Sequence, residues 1–190
     1  DVWDGAIRID GQDIRRVQQA SLREAIGIVP QDTVLFNDTI AYNIAYGRPD
    51  ASLEDVIEAA KLAQIHDFIL DLPEGYDTRV GERGLKLSGG ERQRVSIART
   101  ILKDPSILLF DEATSALDTD TESAIQASLA AVSRDRTTLV IAHRLSTVVD
   151  ADEIIVLDKG RIAERGSHQA LLERDGVYAH MWHSQQEADE

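Results

Sequence analysis

Leu87-Ser88-Gly89-Gly90-Glu91, running into Arg92-Gln93-Arg94-Val95-Ser96-Ile97-Ala98-Arg99, decides how the rest of the chain is read. Ser88 followed three positions later by Glu91 is a capping box, in which the serine oxygen takes a free N–H of the first helical turn and the glutamate reaches back to the serine N–H. The spacing predicts a helix that starts here. Val95, Ala98, Ile101 and Leu102 recur at helical period, which predicts one buried face, with Arg92, Gln93 and Arg99 largely on the others. Gly89 and Gly90 place no side chain over the amides at the positive end of the helix dipole, so the tip is bare and attracts anions such as phosphate. Alone, such a box marks a well-capped surface helix; its meaning comes from its surroundings.

The 190 residues suffice for one core, and 43% hydrophobic against 28% charged residues is ordinary for a globular chain. Twenty basic against 34 acidic residues give a net charge of −14, which repels nucleic acid and anionic lipid unless the bases cluster. They do not: Arg92, Arg94 and Arg99 are too few for a nucleic-acid surface and are expected to pair with local carboxylates. The absence of cysteine excludes disulfides and thiolate metal sites. Apolar runs such as Ile107-Leu108-Leu109-Phe110 and Ile154-Ile155-Val156-Leu157 fall far short of the roughly 18 residues of a membrane span. No initiator methionine or signal peptide precedes Asp1, and the chain reads as a piece of something longer.

Around the capped helix, strands and helices alternate. Gly5 to Gly11 reads as a short strand entering a turn, and Ser21-Leu22-Arg23-Glu24 offers a second, weaker box. Ile26-Gly27-Ile28-Val29 is a buried strand stopped by Pro30, which delivers Gln31 at its end. Short helices follow at Asp38 to Ile44, at Ser52 to about Ala63 and at Ile65 to Leu70, and together they suggest a subdomain beside the main sheet. Gly75 to Gly84 is a glycine-rich connector without periodicity. After the capped helix, Asp104-Pro105 precedes Ile107 to Phe110, a run expected to be a parallel strand buried on both faces, with Asp111 and Glu112 at its end. Ligands in open α/β sheets sit beyond the carboxyl ends of strands, so two acids there suit a metal and a water. Ala113 to Asp118 is a turn, Thr119 to Val132 a helix, and Thr137 to Ala142 a strand ending in His143. Glu153 to Glu164 reads as a hairpin, Ser167 to Leu172 and Val177 to His183 as terminal helices, and Gln185 to Glu190 as a polar, frayed tail.

Taken together these features resemble the nucleotide-binding domain of an ABC ATPase. Gln31 resembles the Q-loop of that family, Leu87 to Glu91 its signature motif, Ile107 to Glu112 its Walker B strand, Ser115-Ala116-Leu117-Asp118 its D-loop and His143 its switch histidine. The implied fold is α/β, a P-loop-NTPase-like, mostly parallel sheet with an inserted helical subdomain at about 37–102. Thr78 to Gly84 is similar to the exporter segment that meets the coupling helices of the membrane domain. Leu35 to Ile44 and the ending around Met181-Trp182 are most similar to half-transporters of the mitochondrial iron–sulfur and bacterial heavy-metal or glutathione-conjugate branch.

One departure stands out. The phosphate-cradling G-x-x-x-x-G-K-[ST] loop is absent: the lysines are Lys61, Lys86, Lys103 and Lys159, and none follows a glycine. The resemblance places that loop upstream of Asp1, on a strand beside Thr137 to Ala142, whose edge is then expected to be exposed and prone to aggregate.

The resemblance implies an ATP-hydrolysing motor domain at the cytoplasmic face of a membrane, a bacterial inner membrane being the expected one, with ATP and Mg²⁺ as cofactors. Its implied partners are a second nucleotide-binding domain and the transmembrane domain of the same transporter, and no nucleic acid. Leu87, Ser88, Gly89, Gly90 and Glu91 would face ATP bound on the partner cassette. Asp111 and Gln31 would hold Mg²⁺, Glu112 would polarise the attacking water, His143 would align it, and Asp118 would couple the two sites. Two alternatives stay open at this point: a soluble ABC ATPase without a transport role, and a non-catalytic dimerisation remnant.

Overall fold

Asp10 and Gly11, at φ 48° and 77°, reverse the chain and pair Arg8–Ile9 (β1) antiparallel with Gln12–Asp13 (β2); Gly and Asp are among the few residues that reach this left-handed region cheaply. The computed structural model describes residues 2–111, 119–142 and 144–189. Helix α1 (Gln19–Ala25) starts before Ser21, so the weaker box expected there does not form: the Ser21 hydroxyl lies inside the first turn and donates to the Gln18 carbonyl at 2.8 Å. The chain then enters β3 (Ile26–Val29).

Three helices follow. Thr39 caps α2 (Ile40–Ala45), its hydroxyl accepting from the Tyr42 N–H at 3.0 Å. Ser52 and Asp55 form a complete capping box at α3 (Leu53–Leu62), whose hydrogen bond from the Ser52 N–H, above all, holds the Asp55 carboxyl below the usual range. Next comes α4 (His66–Leu70). The connector makes one 3-10 turn at Gly75–Asp77 and is then laid along the start of α2, with Ile40 N–H donating to Thr78 O at 3.0 Å and Val80 N–H to Asp38 O at 2.9 Å. It leads into α5 (Gly89–Lys103), which Asp104 ends in the left-handed conformation at φ 56°.

β4 (Ile107–Asp111) lies parallel to β3, with Ile26 opposite Ile107 and Val29 opposite Phe110. Leu108 and Phe110 are buried and their neighbours half-buried, so one face of β4 is covered more fully than the other. After α6 (Thr119–Ser133), β5 (Thr137–Ile141) completes a sheet in the order β3-β4-β5. Leu139, Val140 and Ile141 are 54%, 38% and 48% exposed, in keeping with the open apolar edge expected for this strand. β6 (Ile154–Asp158) and β7 (Arg161–Gly166) form the antiparallel hairpin, followed by α7 (His168–Glu173), capped by Ser167, and α8. α8 (Val177–Asp189) runs past His183 and through the polar residues from Gln185 onward.

The chain divides into two compact units, residues 1–139 and 140–190. In the first, α2, α3 and β3 pack on α5 around Ile40, Ile44, Val56, Val95, Ile97 and Leu108. In the second, Leu145, Ile154, Val156, Leu171 and Tyr178 form a core of their own. A carboxylate from the hairpin, Glu164, caps α8 by accepting from Val177 N–H at 3.1 Å and Tyr178 N–H at 2.8 Å. Among the described residues no helix is long and apolar enough to cross a membrane.

Candidate functional site

The tip of α5 is built as the serine-glutamate spacing dictates. Ser88, in extended conformation at φ −61° and ψ 167°, is the N-cap; its hydroxyl accepts from Glu91 N–H at 3.3 Å, and the Glu91 carboxylate accepts from Ser88 N–H at 2.7 Å. Leu87 is buried and anchors the approach. The first-turn amides of Gly89 and Gly90 have no acceptor within the helix, Gly89 is exposed and Gly90 half-exposed, and neither carries a side chain to cover them. An oxyanion can therefore approach backbone N–H groups at the positive end of a 15-residue helix.

The body of α5 departs from the expected pattern in one respect. Val95, Ala98 and Leu102 are buried as expected, but so are Gln93, Ser96, Ile97 and Thr100, because α3 and α2 pack on α5 as well as β3. The arginines also find other partners than local carboxylates. Arg92 donates to the Leu87 carbonyl at 3.2 Å, and Arg99 donates from Nε to the Asn43 carbonyl at 2.8 Å; burial lowers the Arg99 pKa from its ordinary value.

At its far end α5 is fastened to β3. Thr100 Oγ1 donates to Ile28 O at 3.2 Å, and Lys103 Nζ donates to both Arg23 O and Ile26 O at 2.6 Å, its pKa lowered by burial. Gly27 faces this contact, and a Cβ there would stand 2.5 Å from Pro105 Cγ and 2.9 Å from Thr100 Cγ2.

Gln31 and Asp111 belong to a second constellation. Since Val29 pairs with Phe110 in a parallel ladder, Asp111 ends β4 at the level of Pro30, with Gln31 the next residue on the neighbouring chain segment. A carboxylate and an amide carbonyl at adjacent strand ends are hard oxygen donors of the kind Mg²⁺ takes. Among the described residues no three His, Cys, Asp or Glu side chains converge. Glu112, Asp118 and His143 lie outside the described residues.

Sequence reasoning missed Asn43 and its surroundings. Asn43 is fully buried, and its side chain accepts from Phe36 N–H at 2.8 Å and donates to Phe36 O and Thr39 O at 3.1 and 3.0 Å. Tyr42 and Tyr46, one helical turn apart, meet Phe36 beside it; that spacing of aromatics was the signal available.

The family model described as ABC transporter matches residues 2–115. The chain is 68% identical over 182 residues to the ATM1-type heavy metal exporter of Novosphingobium aromaticivorans, covering 96% of this chain and 30% of that protein. It is 67% identical over 190 residues to ATP-binding cassette sub-family B member 6 of Homo sapiens, covering all of this chain and 23% of that one. A solved structure of a bacterial Atm1-family ABC exporter with ATP bound superimposes with a TM-score of 0.94 at 67% identity, over 98% of this chain and 33% of that chain. The chain thus spans about a quarter to a third of the length of the relatives it matches.

Proposed function

The chain belongs to the ABC transporter family, and from that premise we propose that it is the ATP-hydrolysing motor segment of a membrane exporter, working against a second copy of itself or a similar cassette and docked on a transmembrane domain. The observation that carries the reading is the bare tip of α5, with both bonds of its capping box formed at the position where the family presents its signature motif to nucleotide. Thr78 to Gly84, pinned along the start of α2, supports the exporter branch and a contact with the membrane domain. The relatives named above include a heavy metal exporter, which makes a heavy-metal species the cargo to test first. The proposed place is the cytoplasmic face of a membrane, a bacterial inner membrane in the first instance.

In this reading Ser88, Gly89 and Gly90 bind the terminal phosphate held on the partner cassette, through a hydroxyl and backbone amides that need no reorganisation to meet it. Asp111 and Gln31 would hold Mg²⁺, which would supply neutralisation of the charge on the phosphate oxygens. Glu112 takes the proton of the attacking water, His143 holds that water in line, and Asp118 links the two sites. Phosphoryl transfer asks chiefly for positioning and charge neutralisation, which a set of single residues on separate elements can supply.

The test is Glu112→Gln in the full-length protein. Turnover is expected to fall roughly 10²–10⁴-fold, the range for losing a general base, with ATP binding retained; turnover at the wild-type rate would remove Glu112 from the mechanism.

A further inference from the structure

Arg99 joins two features that the proposed function treats separately. It lies on α5, ten residues beyond Gly89, which is about 15 Å of helix. Beyond Gly90 in the first turn, the residues from Glu91 to Ala98 include neither proline nor glycine, the common causes of a kink. One edge of its guanidinium is held by a single residue of α2: Nε donates to the Asn43 carbonyl at 2.8 Å and an Nη2 hydrogen to Asn43 Oδ1 at 3.3 Å. Its Cζ lies 5.6 Å from the centre of the Phe36 ring and 5.8 Å from that of Tyr46, and those two rings are 4.4 Å apart. Phe36 and Tyr46 are 40% and 52% exposed, so the aromatic pair meets Arg99 on one side and solvent on the other. A Cβ on Gly47 would stand 2.1 Å from the Arg99 carbonyl oxygen, which shows how closely the end of α2 approaches the α5 backbone.

We propose that Arg99 is a positioning residue that makes the Phe36–Tyr46 aromatic face and the Ser88–Gly90 tip one rigid piece, so that displacing either end displaces the other. The proposal rests on the reading of the tip as the ATP-facing end of the cassette. Arginine suits the task because its planar fork offers two donors to one residue while the cation remains beside the rings. Lysine would keep the charge without the fork, and methionine only the bulk. If ATP displaces the tip, the aromatic face moves with it, and the coupling acts equally in the other direction.

The test uses the full-length protein in lipid nanodiscs with an environment-sensitive fluorophore on Val34→Cys, a position 77% exposed and two residues before Phe36. This segment contributes no other cysteine, and any elsewhere in the protein are replaced. ATP is expected to change the emission of the label. In Arg99→Lys and Arg99→Met that change is expected to be lost while equilibrium ATP binding and far-ultraviolet circular dichroism are retained. The pair Phe36→Leu with Tyr46→Leu, which removes the rings without touching α5, is expected to lose it as well, and decides the matter alone should the Arg99 variants not fold. An ATP-dependent change that persists in these variants, or that is absent from a wild type that binds ATP, overturns the proposal. A wild type that binds no ATP overturns the underlying reading of the tip instead, and the role of Arg99 with it.

Discussion

Gly89 and Tyr76 show how single residues set local behaviour here. Gly89 is the first residue of α5, and a carboxylate placed there meets two opposite demands. Gly89→Asp is expected to leave the helix as stable or more so, since an acid in the first turn favours the dipole by about 0.3–1 kcal/mol. The same charge would repel phosphate, so ATP-driven closure of the cassette pair, followed by spin-label distances across it, is expected to be abolished in the full-length protein; closure at wild-type ATP concentrations would count against the bare-tip account. Tyr76 donates to or accepts from His66 Nδ1 at 2.8 Å, and burial, with a smaller push from the Glu58 carboxylate, raises its pKa from 10.0 to about 12. Between those values the unfolded chain releases the phenolic proton while the folded one keeps it, so Tyr76 contributes stability that is complete below pH 10 and is lost as pH rises toward about 12. Urea unfolding across that window is expected to lose part of its slope with pH in Tyr76→Phe, though Tyr178, also raised by burial, keeps its own share.

At the scale of elements, α5 shows what local spacing can and cannot say. Its start was legible because a capping box needs only residues three apart, and both bonds form. The same spacing at Ser21 and Glu24 misled, because α1 begins at Gln19 and encloses Ser21; the pattern reports that a cap is compatible with the chain, and neighbouring residues decide whether a helix begins there. The burial of Gln93 was not legible, since it depends on which elements close over the polar side of α5, a long-range matter that its own periodicity does not encode. The fastening of α5 to β3 leads to a prediction at this scale. Gly27→Ala would press a methyl group into Pro105 and Thr100 and is expected to cost about 1–3 kcal/mol, the usual range for overpacking, read as a lower urea midpoint with an unchanged slope. A midpoint equal to the wild type would mean that α5 and β3 part more easily than their contacts suggest.

For the whole molecule, the α/β alternation was readable from the sequence, and the strand positions at β3, β4 and β5 agree with it. The sequence also led to the expectation that β5 would stand open, and the exposure of Leu139, Val140 and Ile141 carries a prediction about solution behaviour. Leu139→Lys is expected to reduce concentration-dependent light scattering of the 190-residue chain, because a charge on an open strand hinders edge-to-edge pairing, while its unfolding free energy changes by no more than about 0.5 kcal/mol, as is usual at exposed positions. Scattering that is unaffected would move the sticky surface elsewhere. The three fastenings of α5, at Arg99, Thr100 and Lys103, carry one more consequence. They lie in its second half, whereas the tip proposed to face ATP lies in its first, so the number of residues between them sets an angle as well as a distance. One alanine inserted between Arg94 and Val95 would leave the moorings seated and swing Ser88 about 100° round the helix axis. Seven would return it to within about 20° of its heading but about 10 Å further out. The helix is in that sense a gauge, and a partner reading its tip would sense a miscount of a single residue.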